Sequence, residues 1–370
     1  MVTNSLIHQI TLGREGKNWG YSMGLPKLEG IVDGVTQNTY TLVFSPTGSG
    51  KTSLALYSYI YKPLMEHLDD GNFKVIYYSL EMSAELLFAK LLSIYIFETY
   101  GIELSTKELL SKKKDYVLSD DYYNIVKECM PWLHKVEKII TVYDKALNAE
   151  SLYKSLSSEL EKTGEFVEDN NRKIYIPKNE DQVTLVVIDH LSLVRRSGGR
   201  SLKEEMDLIS AYLVTLRNRC KISPLVIMQA NRNSSSMDRR KEGLNNLTIN
   251  DTKDTGAPAQ DAEVIVSLFN PYRERLNSYK GYDVKKLQSN FRVITVLKNR
   301  YGEADVEIGC AFYGRTGVFV ELPKPTEIYD YDKYTNANWL LNQNLEDRPI
   351  IEDDENEDND NETSNLTFTL

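Results

Sequence analysis

The stretch that most constrains this chain is Ser45-Pro46-Thr47-Gly48-Ser49-Gly50-Lys51-Thr52. It follows the apolar run Tyr40-Thr41-Leu42-Val43-Phe44 and precedes a helical spacing through Leu54, Ala55, Leu56 and Tyr59. Strand, glycine-bearing loop, Lys-Thr and helix, in that order, predict a phosphate-binding loop. Gly48 and Gly50 let the backbone wrap a phosphate with its N–H groups pointing inward, and the helix N-terminus adds partial positive charge. Lys51 is placed to reach the β- and γ-phosphates, and the Thr52 hydroxyl to ligate Mg²⁺. Ser45 stands where glycine or alanine is usual, and a small residue still fits. The loop predicts a nucleotide-binding protein.

The remaining chain is consistent with a large soluble α/β domain. Its 370 residues allow one such domain with extensions, or two small ones. No run reaches the length of a membrane span, and the N-terminus lacks a basic-then-apolar signal pattern. Cys129, Cys220 and Cys310 are far apart and lack metal spacing, so we read them as reduced thiols in a cytoplasmic setting, of a cell or of a phage-infected host. The net charge of −10 argues at first against a nucleic-acid partner, but Glu352–Glu362 alone carries eight acids, and the rest is left at −2. Local basic loops on a near-neutral fold can still bind phosphate.

Apolar runs alternate with helical patterns. Strands are expected at 74–79, 184–188, 225–228 and 264–269, and helices at 84–100, 151–162 and 203–220, which implies a mostly parallel sheet covered on both faces. From Phe291 the apolar residues alternate (Val293, Thr295, Leu297; Val306, Ile308, Cys310, Phe312; Val318, Val320), predicting antiparallel strands at one edge. The polar tip Gly164–Gln182 reads as a surface excursion. We expect an arm or linker over 1–20, an ATPase-type core over 21–325, and a polar to acidic tail over 326–370, disordered from about 343.

Three strand ends carry candidate chemistry. Glu81, after the strand at 74–79, is placed to orient the water that attacks a γ-phosphate. Asp189 follows four hydrophobes, the Walker B arrangement that holds Mg²⁺. Gln229 is a candidate γ-phosphate sensor. Lys298 and Arg300, two residues apart on an extended chain, project to one side. They could reach a phosphate on their own subunit or on a neighbour. The glycines in Arg195-Arg196-Ser197-Gly198-Gly199-Arg200 make a mobile cationic loop suited to phosphates, and Arg239-Arg240-Lys241 is a weaker version.

Together these features resemble the ATPase domain of the DnaB-like hexameric replicative helicases, within the RecA-like P-loop group. The resemblance rests on SPTGSGKT at 45–52, YYSLEMSAE at 77–85, LVVIDHLSLV at 185–194, PLVIMQANR at 224–232, DTKDTGAPAQDAEVI at 251–265 and KNRYG at 298–302. It implies ATP and Mg²⁺ as cofactors, with Glu81 catalytic, Asp189 on the metal side and Gln229 the sensor. Lys298 and Arg300 are implied to enter the neighbouring subunit's ATP site, Arg300 as the finger, in a homo-hexameric ring. Lys253, Asp254 and Gly256 would touch single-stranded DNA in the channel, although Lys253 replaces the usual arginine and Pro258 lies close by. Loader, primase or single-strand-binding proteins are the implied partners. The residues before Tyr40 are too few for the family's N-terminal collar, so either another chain supplies it or the ring assembles through the arm at 1–20. Two other readings stay open: a filament-forming recombinase or strand-annealing ATPase, and a nucleotide-gated scaffold. The acidic tail ending in Asn365–Leu370 is read as a solubilising end, a partner-docking tail or a competitor of DNA for the channel.

Overall fold

A computed structural model describes residues 2–16, 18–112, 114, 116–169, 172–231, 246–252 and 256–337. The strands, in chain order, begin with β1 (Thr41–Ser45), β2 (Phe73–Ser79), β3 (Ile140–Tyr143), β4 (Gly164–Asp169), β5 (Arg172–Pro177), β6 (Val183–Asp189) and β7 (Ser223–Gln229). They continue with β8 (Val264–Phe269), β9 (Ser278–Tyr279), β10 (Tyr282–Asp283), β11 (Phe291–Asn299), β12 (Val306–Tyr313) and β13 (Val318–Glu321). Among the described residues nine of these form one sheet, in the order β13-β12-β11-β8-β1-β7-β6-β2-β3. The six strands from β8 to β3 run parallel, and β11, β12 and β13 close the other side antiparallel. The parallel strands β1, β6 and β8 are buried along their whole length, which is why they read as unbroken apolar runs.

The register positions the site. Ser45 pairs with Gln229, and Ser79 pairs with Asp189. The C-terminal ends of β1, β7, β6 and β2 therefore meet at one edge, where ligands bind in sheets of this kind. Helices cover the faces: Ala84–Tyr100, Ala149–Thr163 and Leu202–Cys220. Ser83, Asn148 and Ser201 cap their N-termini by accepting hydrogen bonds from Leu86, Ser151 and Glu204 N–H groups. The helix after the phosphate loop runs Lys51–Leu54, continues as a π-helical stretch over Ala55–Tyr61, and ends as Lys62–Glu66.

Several expectations are refined. The excursion at 164–182 contains a hairpin, β4 against β5. Ile140–Tyr143 adds an edge strand that the sequence reading passed over. A second small hairpin pairs β9 with β10. The first twenty residues include a helix, Val2–Arg14. The tail boundary at 326 is too early. Ile328, Tyr334 and Ala337 are buried, and the Asn290 side-chain amide donates to Thr335 O at 2.8 Å, so the packed core reaches at least Ala337. The acidic run and its apolar tip lie outside the described residues, as do Arg239, Arg240, Lys241, Lys253 and Asp254. Cys129, Cys220 and Cys310 are buried and unbridged.

Candidate nucleotide site

The loop at 45–52 leaves the C-terminal end of β1 as predicted. Gly48 and Gly50 have φ of 76° and 105°, in the left-handed region that favours glycine. A Cβ on Gly50 would stand 3.3 Å from the Phe312 ring. Ser45, Ser49 and Lys51 are buried, whereas Thr47 is exposed. The Ser49 hydroxyl is buried without a protein partner, as a group awaiting a phosphate oxygen would be.

Asp189 is 1% exposed. The Tyr77 hydroxyl donates to its Oδ2 at 2.8 Å, while Oδ1 is buried with no partner. Burial raises the carboxyl above its ordinary pKa, and the Tyr77 and Thr52 hydroxyls with the Lys51 charge work against that rise. A desolvated carboxylate with one orphaned oxygen beside the Thr52 hydroxyl fits a Mg²⁺ ion completed by nucleotide phosphates and water. Among the described residues no cluster of His, Cys, Asp or Glu could hold a metal by itself.

Glu81 follows two residues after Ser79, the partner of Asp189 at the end of β2, with its side chain 56% exposed. His190 Nε2 stands 3.8 Å from Glu81 Oε2, and its Nδ1 is 2.8 Å from the Ser192 hydroxyl. Burial, with the Lys51 charge adding to it, holds the imidazole below its ordinary value against the pull of Glu81 and Asp189. Gln229 is exposed beside Ser45. Lys51, Thr52, Glu81, Asp189 and Gln229 thus come together at one edge.

Lys298 and Arg300 do not join them. Lys298 pairs with Ile265 and Asn299 with Val264, and Val264 in turn pairs with Thr41 at the start of β1. Four residues of strand, roughly 13 Å, separate that end from Ser45. The alternative that the pair serves its own nucleotide is therefore set aside. In this chain Lys298 Nζ donates to Ala259 O and Gln260 O at 3.2 and 2.9 Å, and Arg300 Nη1 lies 3.4 Å from Glu263 Oε1.

The basic loop divides. Arg195 and Arg196 are exposed. Arg200 is instead fixed between Glu150 and the fully buried Glu205, which sits 2.8 Å from its Nε. Arg200 is thus paired within this chain, while Arg195 and Arg196 are the exposed cations of the three. Gly256 starts the short helix Gly256–Asp261.

Four residues of this region escaped the sequence reading. Arg292, buried on β11, donates from Nε to Ser49 O at 2.6 Å and stacks 4.9 Å over the Phe312 ring. Burial, reinforced by Arg273, pushes its pKa down to about 10. Arg273 donates to Thr47 O, so two arginines brace the loop through its carbonyls. Tyr77 steadies Asp189. Lys90 is partly buried, and its pKa is lowered by desolvation against the charges of Asp189 and Glu81.

A parallel sheet with a phosphate loop on its central strand and acids on the two strand ends beyond it defines a RecA-like P-loop ATPase core. Residues 20–321 match the family described as the DnaB-like helicase C terminal domain, and the chain belongs to that family. Two relatives, the replicative DNA helicases DnaB of Helicobacter pylori strains J99 / ATCC 700824 and ATCC 700392 / 26695, are 25% and 24% identical over 259 residues. The match takes in 68% of this chain and 44% of theirs, so the chain spans less than half the length of these relatives. Among solved structures, one described as an ATPase domain aligns with a TM-score of 0.66 at 17% identity, covering 87% of this chain and 99% of that one. A DnaB-like replicative helicase, solved to describe its interactions with primase, aligns at 0.63 and 17% identity, over 86% of this chain and 66% of that one.

Proposed function

We propose that this chain is an ATP-hydrolysing motor that moves along single-stranded DNA in replication, as a ring whose ATP sites are each completed by the next subunit. The observation that carries the reading is the position of Arg300 at the sheet edge opposite its own phosphate loop. An arginine placed there is useful to a nucleotide only across an interface. Within one site, Lys51 and the loop N–H groups hold the phosphates, and Thr52 and Asp189 would hold Mg²⁺, which would supply charge neutralisation for the phosphoryl transfer. Glu81 orients the attacking water, and Gln229 registers the γ-phosphate from the neighbouring strand. The neighbour's Arg300 stabilises transition-state charge, an effect worth roughly 10³–10⁵ in rate. Arg195, Arg196 and the segment from Lys253 to Gly256 face DNA phosphates, and the helix Val2–Arg14 takes part in assembly. A loader, primase or single-strand-binding protein acts as partner.

The test is ATP turnover with and without single-stranded DNA, in the wild type and in Arg300→Ala. We expect DNA to stimulate turnover and Arg300→Ala to remove it while ATP binding persists. DNA-independent turnover that ignores the substitution would overturn the motor reading. A filament-forming recombinase would also complete its sites between subunits, and electron microscopy of the nucleotide- and DNA-bound protein separates rings from filaments.

A further inference from the structure

The end of β11 is held to the rest of the chain by an unusual set of contacts. Glu263 is 1% exposed and immediately precedes β8. Its Oε2 accepts the Tyr40 N–H at 2.9 Å, and its Oε1 is shared by Arg217 and Arg300. The backbone repeats the connection, since the Arg300 N–H donates to Glu263 O at 3.0 Å and the Glu263 N–H donates to Tyr40 O at 2.9 Å. Arg217 is itself nearly buried, so it already balances the carboxylate, and Arg300, half exposed, is the partner able to leave. Lys298 adds a second tie, because its ammonium group caps the C-terminal carbonyls of Ala259 and Gln260. The helix so capped, Gly256–Asp261, is joined to Leu202–Cys220 at both ends. The Ala257 N–H donates to Asp207 Oδ1 at 3.2 Å, and the Ser210 hydroxyl donates to Asp261 Oδ2 at 2.7 Å.

We propose that Glu263 is the positioning residue for Arg300, holding the finger beside Arg217 and the start of β1, and that Lys298 ties the same strand end to the short helix Gly256–Asp261. This rests on the reading of Arg300 as a finger delivered to a second copy of this chain, and it names the residue that positions the finger. Glu263 touches neither nucleotide nor metal. It holds the guanidinium at the mouth of the interface with one carboxylate oxygen, while Arg217 and the Tyr40 N–H keep that carboxylate fixed.

The experiment compares DNA-stimulated turnover of the full chain in Arg300→Ala, Glu263→Gln and Glu81→Gln, alone and as mixed assemblies, with thermal melting as the control for folding. Glu263→Gln keeps an acceptor for the Tyr40 N–H and removes the charge that holds Arg300. We expect kcat to fall about 10- to 100-fold, the scale of a misplaced catalytic group, with KM for ATP little changed. Mixing Glu263→Gln with Glu81→Gln subunits should restore turnover, because one supplies a sound site and the other a sound finger. Loss that mixing does not restore would place the defect in the variant's own site and overturn the proposal. So would wild-type kcat in Glu263→Gln when Arg300→Ala is inactive. If Arg300→Ala itself turns over normally, it is the finger reading that fails. Should Glu263→Gln leave Arg217 an uncompensated buried charge and prevent folding, Arg217→Met with Glu263→Gln removes both charges of the buried pair, a change such pairs often tolerate. The same kcat loss and the same rescue by mixing are expected of it, and their absence would overturn the proposal equally.

Discussion

Asp189 shows at the scale of a single residue how this site trades stability for chemistry. Its carboxyl is desolvated, its folded pKa is raised, and one of its oxygens has no partner. A group whose folded pKa lies above its unfolded value binds the proton more tightly when folded. Its contribution is therefore most favourable in acid, declines as pH rises through the unfolded carboxylate range, and is fully lost above the folded pKa. Asp189→Asn removes that unfavourable charge. In metal-free buffer at neutral pH the variant should melt above the wild type, and the gap should shrink as pH falls into the carboxylate range. Mg²⁺-dependent turnover should be lost at the same time. A melting difference that does not vary with pH would show that desolvation of Asp189 is not its source. The place of Asp189 at the end of a buried strand was open to sequence reasoning because four hydrophobes preceded it. Tyr77, which holds it, looked like one more apolar residue of β2, since nothing in a strand pattern marks which tyrosine hydroxyl will find an acid 112 residues away.

The same division between local and distant signals holds for the elements. The phosphate loop, β2, β6, β7 and the helix Ala84–Tyr100 were legible because glycines, strand-length apolar runs and helical spacing are local properties. β3 was not, because it follows the helix Met130–Ile139 without an intervening residue and no Gly or Pro marks the change. Nor was the bracing of the loop by β11, whose Arg292 lies 243 residues beyond Ser49 in sequence. That strand carries two duties at opposite ends: Arg292 supports this chain's own loop, and Arg300 faces outward. The guanidinium of Arg292 donates to the carbonyls of Ser49, Ser289 and Phe291, a fork that lysine cannot reproduce. Arg292→Lys should therefore lower unfolding stability by about 1–3 kcal/mol in denaturant titrations. It should also weaken nucleotide binding measured by fluorescence. A lysine variant equal to the wild type in both would mean that charge alone, and not the fork, supports the loop.

At the scale of the whole molecule, the phosphate loop and Arg300, proposed as the two halves of a shared ATP site, lie at opposite edges of one sheet. On the proposed reading a single subunit holds most of a phosphate site and, at its other edge, a finger that serves a neighbour. Assembly on that reading brings the edge at Arg300 of one copy to the edge at Lys51 of another. The N-terminal helix offers a means of holding copies together. Leu6, Ile7 and Ile10 are 57%, 61% and 49% exposed, and their three- and four-residue spacing puts them on one stripe. Apolar side chains exposed together on a helix are stabilised by burial, at about 25 cal/mol per Å². Replacing all three with serine should leave ATP binding by the core intact, because the phosphate loop and its braces are formed within residues 41–321. Assembly should weaken, visible as smaller species in sedimentation at a given concentration. DNA-stimulated turnover should fall with it and recover as the protein is concentrated. If the triple variant sediments as the wild type does, the helix is not what joins the copies, and the join must be made by the sheet edges themselves.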